Sequence, residues 1–349
     1  MTRGPDPRRL AAPAAAAGAA LLVSGLVLAA AGADPLAALG ALVEGAFGDR
    51  FALVDTLVKS CPLALMGLAV AIAFRSGVWN IGADGQLLVG ALAATAAAQA
   101  AGDRTLALPA ALACGIVAGA LWAGLAAALK LRRQVNEVIS TIMLNFVAAR
   151  LVGFAVHGPL MEAAGRYPQS DPLPAAAELP ALGSGLHGGV LLALAAAPLV
   201  WFLLHRTTLG FRWRAAGENF LAARLAGLAP GRATMSAMLV SGGLAGLAGG
   251  IEVAGVTHRL FEQFSGGQGY TAIAVALLAR LHPGGVIVSA LFFAALAAGS
   301  GAMQRSAGVS AVFASIVQAT VILALLAAEA PRFTRRRGGG GAAPHAEAV

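Results

Sequence analysis

Charged residues are scarce in this chain: only 11% of its 349 residues are Asp, Glu, Lys or Arg, and 58% are hydrophobic. Soluble globular domains carry about 25% charged residues, so the composition excludes a water-soluble globule. The net charge of +8 would be compatible with nucleic-acid binding. However, the cations lie at the ends of apolar runs, where they orient membrane segments. We therefore predict an all-α polytopic membrane protein in contact with lipid and without a nucleic-acid partner.

The chain also has only two lysines and two cysteines, and their positions exclude several chemistries. Neither Lys59 nor Lys130 follows a glycine, so the sequence lacks a P-loop, in which the lysine comes directly after a glycine. Cys61 and Cys114 lie in apolar runs, where thiols behave as small hydrophobic groups. Because no catalytic or metal-ligand motif is present either, we expect a protein that is not an enzyme, with no cofactor and no metal site.

Apolar runs long enough to cross a bilayer, which takes about 20 residues of helix, dominate the sequence. A shorter run, 270–281, has only 12 residues before the sequence His282-Pro283-Gly284-Gly285 interrupts it. The 45 glycines would let neighbouring helices approach closely in lipid. The predicted long spans are 11–33, 54–74, 80–101, 105–129, 137–157, 187–204, 233–256, 285–304 and 310–328.

The distribution of Lys and Arg predicts the orientation of these spans. With the N-terminus inside and the short run counted as a crossing, 17 of the 24 basic residues face the cytoplasm, five face outside and two lie within spans. This bias indicates about ten transmembrane helices, one of them short or broken, with both termini cytoplasmic. The predicted parts are a cytoplasmic segment 1–10, a transmembrane domain 11–329 with an external loop 158–188, and a disordered cytoplasmic tail 330–349.

The first run has an alternative interpretation as a cleaved signal peptide, because Ala31-Gly32-Ala33 resembles a signal-peptidase site after a basic segment. Its apolar stretch is longer than the roughly 7 to 15 residues typical of signal peptides, which favours a membrane span.

A cytoplasmic loop at 205–232 contains five arginines and an ordered helical pattern. Three leucines between 221 and 228 recur at helical spacing, Glu218 opens the segment and Arg224 lies towards its end, as a helix dipole favours. The pattern predicts a short surface helix on which a soluble partner can dock.

Polar residues cluster at the start of the run 80–101, where Asn80, Asp84 and Gln86 stand among glycines. Two interpretations are open: a broken helix that faces a cavity, or a cytoplasmic turn with an aspartate near the start of a helix. Glu137 and Asn145 belong to a second polar group, predicted to point into the helix bundle. They would either line a path or form interhelical hydrogen bonds.

Segments interrupted by Gly or Pro occur at corresponding places in the two parts of the chain, around 78–94 and 269–293. Broken segments at matching positions of two halves point to a translocation pathway in transporters built from repeats. We therefore expect two weakly related halves.

Four motifs, in this order, resemble the permease subunits of bacterial ABC importers of the branched-chain amino acid and ribose type, especially those for nucleosides and related simple sugars. Three positions depart from that family's usual pattern, in which Glu replaces Asp84, Pro replaces Phe220 and Asn replaces His282. The motifs are Asn80-Ile81-Gly82-Ala83-Asp84-Gly85-Gln86, Asn136-Glu137-Val138-Ile139 followed by Thr141, Met143, Leu144 and Asn145, Gly217-Glu218-Asn219 with Ala222-Ala223-Arg224 and Gly227, and Ile273-Ala274-Val275-Ala276-Leu277-Leu278.

The resemblance implies a multi-pass permease of the bacterial plasma (inner) membrane that imports a nucleoside or simple sugar. It implies a cytoplasmic ABC ATPase that hydrolyses the ATP, a second permease chain, homologous or identical, and an extracytoplasmic substrate-binding lipoprotein. The helix that couples to the ATPase would map to 215–228. The implied coupling residues are Gly217, Glu218, Asn219, Ala222, Ala223, Arg224 and Gly227, and the candidate residues of the substrate path are Asn80, Asp84, Gln86, Glu137 and Asn145.

Two other functions compete with this one. An ion-coupled secondary transporter of a small polar solute could use Asp84 or Glu137 as its coupling carboxylate, but it would not need an ordered docking helix. A passive channel is a third possibility, for which the sequence offers no ring of charge or pore signature.

Overall fold

The computed structural model describes residues 34–183 and 185–307, together with the isolated positions 22, 25, 26, 29, 316, 319 and 320. Several predictions made from the sequence therefore lie outside the described residues. These are the segment 1–10, nearly all of the spans 11–33 and 310–328, the sequence Ala31-Gly32-Ala33 and the tail 330–349.

The described chain is mostly helical, which confirms the predicted all-α membrane class. A short β-hairpin, β1 (Ala181–Gly183) with β2 (Leu186–His187), is an addition that the sequence did not predict. The helices are α1 (Pro35–Phe47), α2 (Arg50–Arg75), α3 (Ala83–Ala101), α4 (Ala107–Arg133), α5 (Glu137–His157), α6 (Gly189–Arg206), α7 (Thr208–Glu218), α8 (Phe220–Leu225), α9 (Pro230–Glu252), α10 (Gln268–Leu278) and α11 (Pro283–Ala307), with a 3₁₀ turn at Ala175–Ala177 and a π turn at Val253–Thr257.

Six of the described helices are long and apolar enough to cross a membrane: α2, α4, α5, α6, α9 with its π turn, and α11. Helix α3 is long enough but less apolar, because Asp84, Gln86 and Gln99 lie in it. Helix α10 is apolar but has only 11 residues. Helix α1 was not predicted from the sequence, whereas the other spans within the described residues agree with helices to within a few positions.

Residues Ala46–Ala298 form one compact unit, whose centre is a close packing of α9 against α3 and α4. Glycines make this packing possible. A Cβ atom at Gly246 would overlap the Gly115 carbonyl oxygen, and one at Gly90 would overlap the Gly246 backbone. The main chains of three helices therefore touch directly, as small residues allow in lipid.

The described residues before 46 and after 298 belong to the other unit. Within its described part, the Gly299 backbone lies against the Leu42 carbonyl, and Gly45 faces Gly299 and Ala302. This is a second example of helix contact through glycine, here between α1 and the end of α11.

The segment 158–188, predicted to be an external loop, is hydrogen-bonded to the chain that follows α9. Ser170 N donates to Leu260 O at 2.7 Å, and Leu260 N donates to Ser170 Oγ at 3.0 Å. Farther along, Leu179 N donates to Ala254 O at 2.8 Å. The segment thus holds the π turn and the residues after it in place.

The prediction of one continuous helix over 215–228 is wrong. The chain leaves helical geometry at Asn219, which ends α7 and begins α8 with φ −156°. The Asn219 side chain accepts a hydrogen bond from Ala222 N at 2.9 Å, so it acts as the N-cap of α8. Asparagine favours such caps over helix interiors because its side chain competes for backbone amides. The chain turns away after α8 at Gly227, where φ is +79°.

Candidate functional site

The polar residues at the start of α3 form a buried hydrogen-bond network with α9. Asn80 Nδ2 donates to Gln86 Oε1 at 3.0 Å and to Ser241 Oγ at 2.9 Å, and Gln86 Nε2 donates back to Asn80 Oδ1 at 2.9 Å. Ser241 Oγ donates in turn to the Ala69 carbonyl of α2 at 2.7 Å. These side chains are fully paired and bind three elements together.

Asn145 of α5 connects the same region to α10. Its Oδ1 accepts from Gly85 N at 2.9 Å, and its Nδ2 donates to the Ile81 carbonyl at 3.0 Å and to the Tyr270 hydroxyl at 3.2 Å. The chain 76–82 between α2 and α3 is not helical and is largely buried, so it depends on such partners for its polar backbone groups. The structure therefore has a non-helical, largely buried stretch, followed by an aspartate in the first turn of a helix.

Asp84 joins the N-terminal end of α3 to the N-terminal end of α10. Its Oδ1 accepts from Gly269 N at 2.9 Å, and its Oδ2 accepts from Ser265 Oγ at 3.0 Å. A carboxylate is favourable beside the free amides at a helix N-terminus. Only glycine fits at 269, because a Cβ atom there would overlap the Asp84 backbone.

Glu137 has a different environment. At the first position of α5, it pairs with Lys130 across the turn from α4. Ser140 and Thr141, on the same buried face, donate to carbonyls of their own helix. The predicted inward orientation of this face agrees with their burial, but Glu137 does not line the cleft described next.

An open cleft of about 480 Å³ lies between α3, α5 and the chain just before α10. We call this chain, residues 262–267, the turn segment. Asp84 and Arg150 line the cleft from the two helices, and Glu262 and Ser265 line it from the turn segment. Of the five residues predicted for a substrate path, only Asp84 lines this cleft.

The turn segment descends along α5. Glu262 Oε2 lies 4.0 Å from His157 Nε2 at the end of α5. Seven residues later, Gly269 contacts Asp84 at the level of Asn145, which binds the next amide of α3. His157 and Asn145 are twelve residues apart, about 18 Å along a helix axis. Non-helical backbone at membrane depth is tolerated where it lines a cavity, as it does here.

This descent explains why the apolar run 270–281 is short. Helix α10 begins at the level of Asp84 rather than at the end of α5. It is followed by His282, whose ring centroid is 6.4 Å from that of His205 at the end of α6. The turn segment and α10 therefore together extend from the end of α5 to the end of α6, a distance that one straight helix would otherwise cover.

No role for Arg150 was predicted from the sequence. Arg150 makes no hydrogen bond or ion pair within the described part of the chain. One signal was available: Arg150 is a charged residue inside an apolar run, and such residues mark functional sites by default. That Glu262 lines the same cleft could not be seen, because the two residues are far apart in the sequence.

A second candidate surface is formed by α8. Phe220, Leu221 and Leu225 are 52%, 64% and 81% exposed, and Arg224 is exposed beside them. Only Ala223 of this helix is buried. Large apolar side chains grouped on a polar surface indicate a binding site for another protein.

Helix α7 anchors this surface to the bundle. Trp213 is fully buried, and its Nε1 donates to Ser236 Oγ of α9 at 2.9 Å. Near its C-terminal end, Gly217 packs so closely against the Arg75 carbonyl of α2 that a Cβ atom would overlap it. These contacts join α7 to both α2 and α9.

The chain is similar to known permeases over most of its length. Residues 52–326 match the family described as branched-chain amino acid transport system / permease component. The chain belongs to this permease family. No solved structure matches it.

Three relatives of the permease are ABC transporter permeases. The glucose ABC transporter permease of Haloferax volcanii is 38% identical, over 89% of this chain and 85% of that protein. The guanosine ABC transporter permease of Bacillus subtilis is 36% identical, over 90% and 92%. The nucleoside ABC transporter permease of Lactococcus lactis is 29% identical, over 90% of each chain.

With its membrane-crossing helices, the permease is a multi-pass protein of the plasma membrane. The relatives are transport components, and none of them supports the ion-coupled alternative. Within the described residues, no group of three His, Cys, Asp or Glu side chains could hold a metal ion.

Glu162 of the permease stabilises the contact between the segment 158–188 and the chain after α9. Its carboxylate accepts hydrogen bonds from Gln169 Nε2 at 2.6 Å, from Arg259 Nη1 at 3.1 Å and from the Arg166 and Tyr167 amides. These bonds, above all the one from Gln169, and the Arg259 charge lower the pKa of Glu162, and they outweigh the opposing effect of burial.

Acidification below pH 5 is expected to loosen this contact in the permease. A carboxylate with a lowered pKa adds stability that is fully present above its unfolded pKa of about 4.3 and is lost as the pH falls through its folded value. Hydrogen exchange at Ser170 and Leu260, corrected for intrinsic rates, should therefore rise between pH 5.5 and 3.5. In Glu162→Gln it should be fast at both pH values. The same pH dependence in both proteins would contradict this assignment.

Proposed function

We propose that the chain is the permease of an ATP-binding cassette importer that carries a nucleoside or a related simple sugar into the cytoplasm. The observation that carries the proposal is the similarity to glucose and guanosine ABC permeases along about nine-tenths of the chain. The energy comes from ATP hydrolysis by a separate ATPase subunit. Neither of the two lysines of this chain follows a glycine, so the chain has no P-loop of its own. This is consistent with ATP hydrolysis by a separate subunit.

The docking site for the ATPase is the surface around α8. Its exposed leucines and Phe220 provide apolar contact, and exposed Arg224 provides charge. Buried Ala223 holds α8 against the bundle, and close packing at Gly217 transmits its displacement to α2. The residues proposed to couple the chain to the ATPase are Gly217, Glu218, Asn219, Ala222, Ala223, Arg224 and Gly227.

The proposed topology has ten crossings in two weakly related halves, with both termini in the cytoplasm. In this topology α8 and the loop 205–232 face inside, the segment 158–188 forms an external cap, and the transmembrane domain extends over 11–329. The segments 1–10 and 330–349 are cytoplasmic. The arrangement of the turn segment with α10 supports counting the short run as a crossing, because the two together cover the depth of the bundle.

The solute path follows the polar side of α3 and α5. Asp84 lines the open cleft, while Asn80, Gln86 and Asn145 fix the non-helical chain beside it. Glu137 stands at the inner end of this path, paired with Lys130. A second permease chain, homologous or identical, and an extracytoplasmic substrate-binding lipoprotein complete the proposed importer.

Reconstitution tests this function. The chain is assembled in liposomes with its second permease and its ATPase, and the binding protein is added with labelled uridine or glucose. We expect accumulation only when ATP is present on the ATPase side. Replacement of the P-loop lysine of the ATPase should abolish it, whereas ionophores that collapse ion gradients should leave it unchanged.

The competing secondary transporter predicts the opposite pattern. Accumulation by this chain alone, driven by an ion gradient and independent of ATP, would refute the proposal.

A further inference from the structure

The open cleft contains a charged side chain that has no partner among the residues that the structure describes. Arg150 projects from the middle of α5, a membrane-spanning helix, and makes no ion pair or hydrogen bond within the described residues. A cation in a membrane span is unfavourable unless it faces a water-filled cavity or a polar ligand. Its position in the cleft wall meets that condition and leaves its donors available.

Acceptor groups lie in the same cleft. Glu262 of the turn segment lines the wall with Arg150, and Asp84 lines it from α3. The Asp84 oxygens already accept from Gly269 N and Ser265 Oγ, so its role is to hold the start of α10 in position. In the described part of the chain, the Glu262 carboxylate has only the distant His157 contact at 4.0 Å, which leaves it free to accept hydrogen bonds.

We propose that this cleft binds the polyhydroxylated ring of the transported solute. Arg150 donates hydrogen bonds to the hydroxyl oxygens, and Glu262 accepts hydrogen bonds from the hydroxyl protons. This inference rests on the proposed function and adds to it the place and the chemistry of recognition.

The chemistry of a polyol fits these groups. Each hydroxyl is both donor and acceptor, so a guanidinium with five N–H donors and an acceptor-only carboxylate together satisfy adjacent hydroxyls. Leu88, Ala149 and Val152 offer an apolar wall for the C–H face of the ring. A Cβ atom at Gly266 would meet nothing within 4 Å, so the turn segment leaves space beside this wall. The cleft volume is within the range of about 300 to 1,000 Å³ usual for small-molecule sites.

The relatives support recognition of the hydroxylated ring of the solute rather than of a nucleobase. A glucose permease and a guanosine permease are similarly close to this chain, at 38% and 36% identity. A ring with several hydroxyl groups is what glucose and guanosine have in common. A site that recognises this ring would serve either class of solute.

The first test measures ATP-driven uptake of uridine and of glucose by the complete transporter carrying Arg150→Gln. Loss of a charged hydrogen-bond donor should lower uptake efficiency about tenfold or more for whichever solute the unaltered transporter carries. The control is Arg104→Gln, which removes an exposed arginine outside the cleft and should leave uptake unchanged. Both variants are first compared by size-exclusion chromatography for intact assembly.

The second test does not depend on the Arg150 variant folding. Gln263→Cys places a thiol in the cleft wall, and Cys114→Ala removes the exposed natural cysteine, since Cys61 is buried. The complete transporter is treated with a polar maleimide in the presence of uridine, glucose or uracil. The transported polyol should slow labelling several-fold. Uracil, which lacks the polyhydroxylated sugar ring, should not slow it.

The outcomes separate the two proposals. Normal uptake by Arg150→Gln, labelling that the transported polyol does not slow, or equal protection by uracil would each overturn the assignment of the cleft while leaving the importer function intact. Absence of ATP-driven uptake by the unaltered transporter would overturn the proposed function and this inference with it.

Discussion

Replacing Leu221 and Leu225 with serine is expected to abolish ATP-driven uptake and to weaken ATPase association more than a hundredfold. The two side chains are 64% and 81% exposed on α8, so the change removes apolar contact without disturbing the core. Burying one leucine contributes about 1.5 to 3 kcal/mol, and every 1.4 kcal/mol is about a factor of ten in affinity. Co-purification with the ATPase and uptake in liposomes are the measurements.

The matched control is Leu182→Ser, which removes an exposed leucine from β1 of the hairpin. That variant should retain full ATPase association and uptake. If the α8 variant also retained both, the docking site would have to lie elsewhere on the chain.

Replacing Gly246 with alanine is expected to destabilise the permease by about 3 kcal/mol or more. A Cβ atom there overlaps the Gly115 carbonyl oxygen and presses on the Gly119 backbone, and neither can move aside as a flexible side chain would. Overpacking of this kind usually costs about 1 to 3 kcal/mol. We expect a cost at the upper end of this range or above, because the overlapping atoms belong to the backbone. The thermal midpoint in detergent should fall by about 10 °C.

Gly231→Ala provides the control in the same helix. The nearest atom to a Cβ there is Leu131 Cδ2 at 3.5 Å, which is ordinary contact, so stability should be nearly unchanged. Equal thermal midpoints for the two variants would show that α9 can shift away from α4, contrary to the packing described here.

The helical spans could be predicted because each depends on local properties of the sequence. Asn136 marks the start of α5 and accepts from Val138 N in the structure, so the predicted boundary agrees with the observed one. The break at Asn219 was missed because the resemblance to the permease family implied one helix over 215–228. Asparagine favours helix N-caps, and in the structure Asn219 occupies that position in α8.

The candidate site was only partly predictable. The cluster around Asp84 stands out because polar residues are rare in these apolar runs. Its connection to Ser265 and Gly269 depends on how α3 meets α10, which a single sequence does not reveal. The same is true of Arg150 and Glu262, which line one cleft because of the path of the turn segment along α5.

The glycine contacts at the centre of the bundle have a consequence for motion. Where the main chains of α3, α4 and α9 touch at Gly90, Gly119 and Gly246, no side-chain rotamers exist that could rearrange to permit sliding. These three helices should therefore move as one rigid body. Alternating access would then be produced at their margins, where the non-helical chain 76–82 and the turn segment can act as hinges.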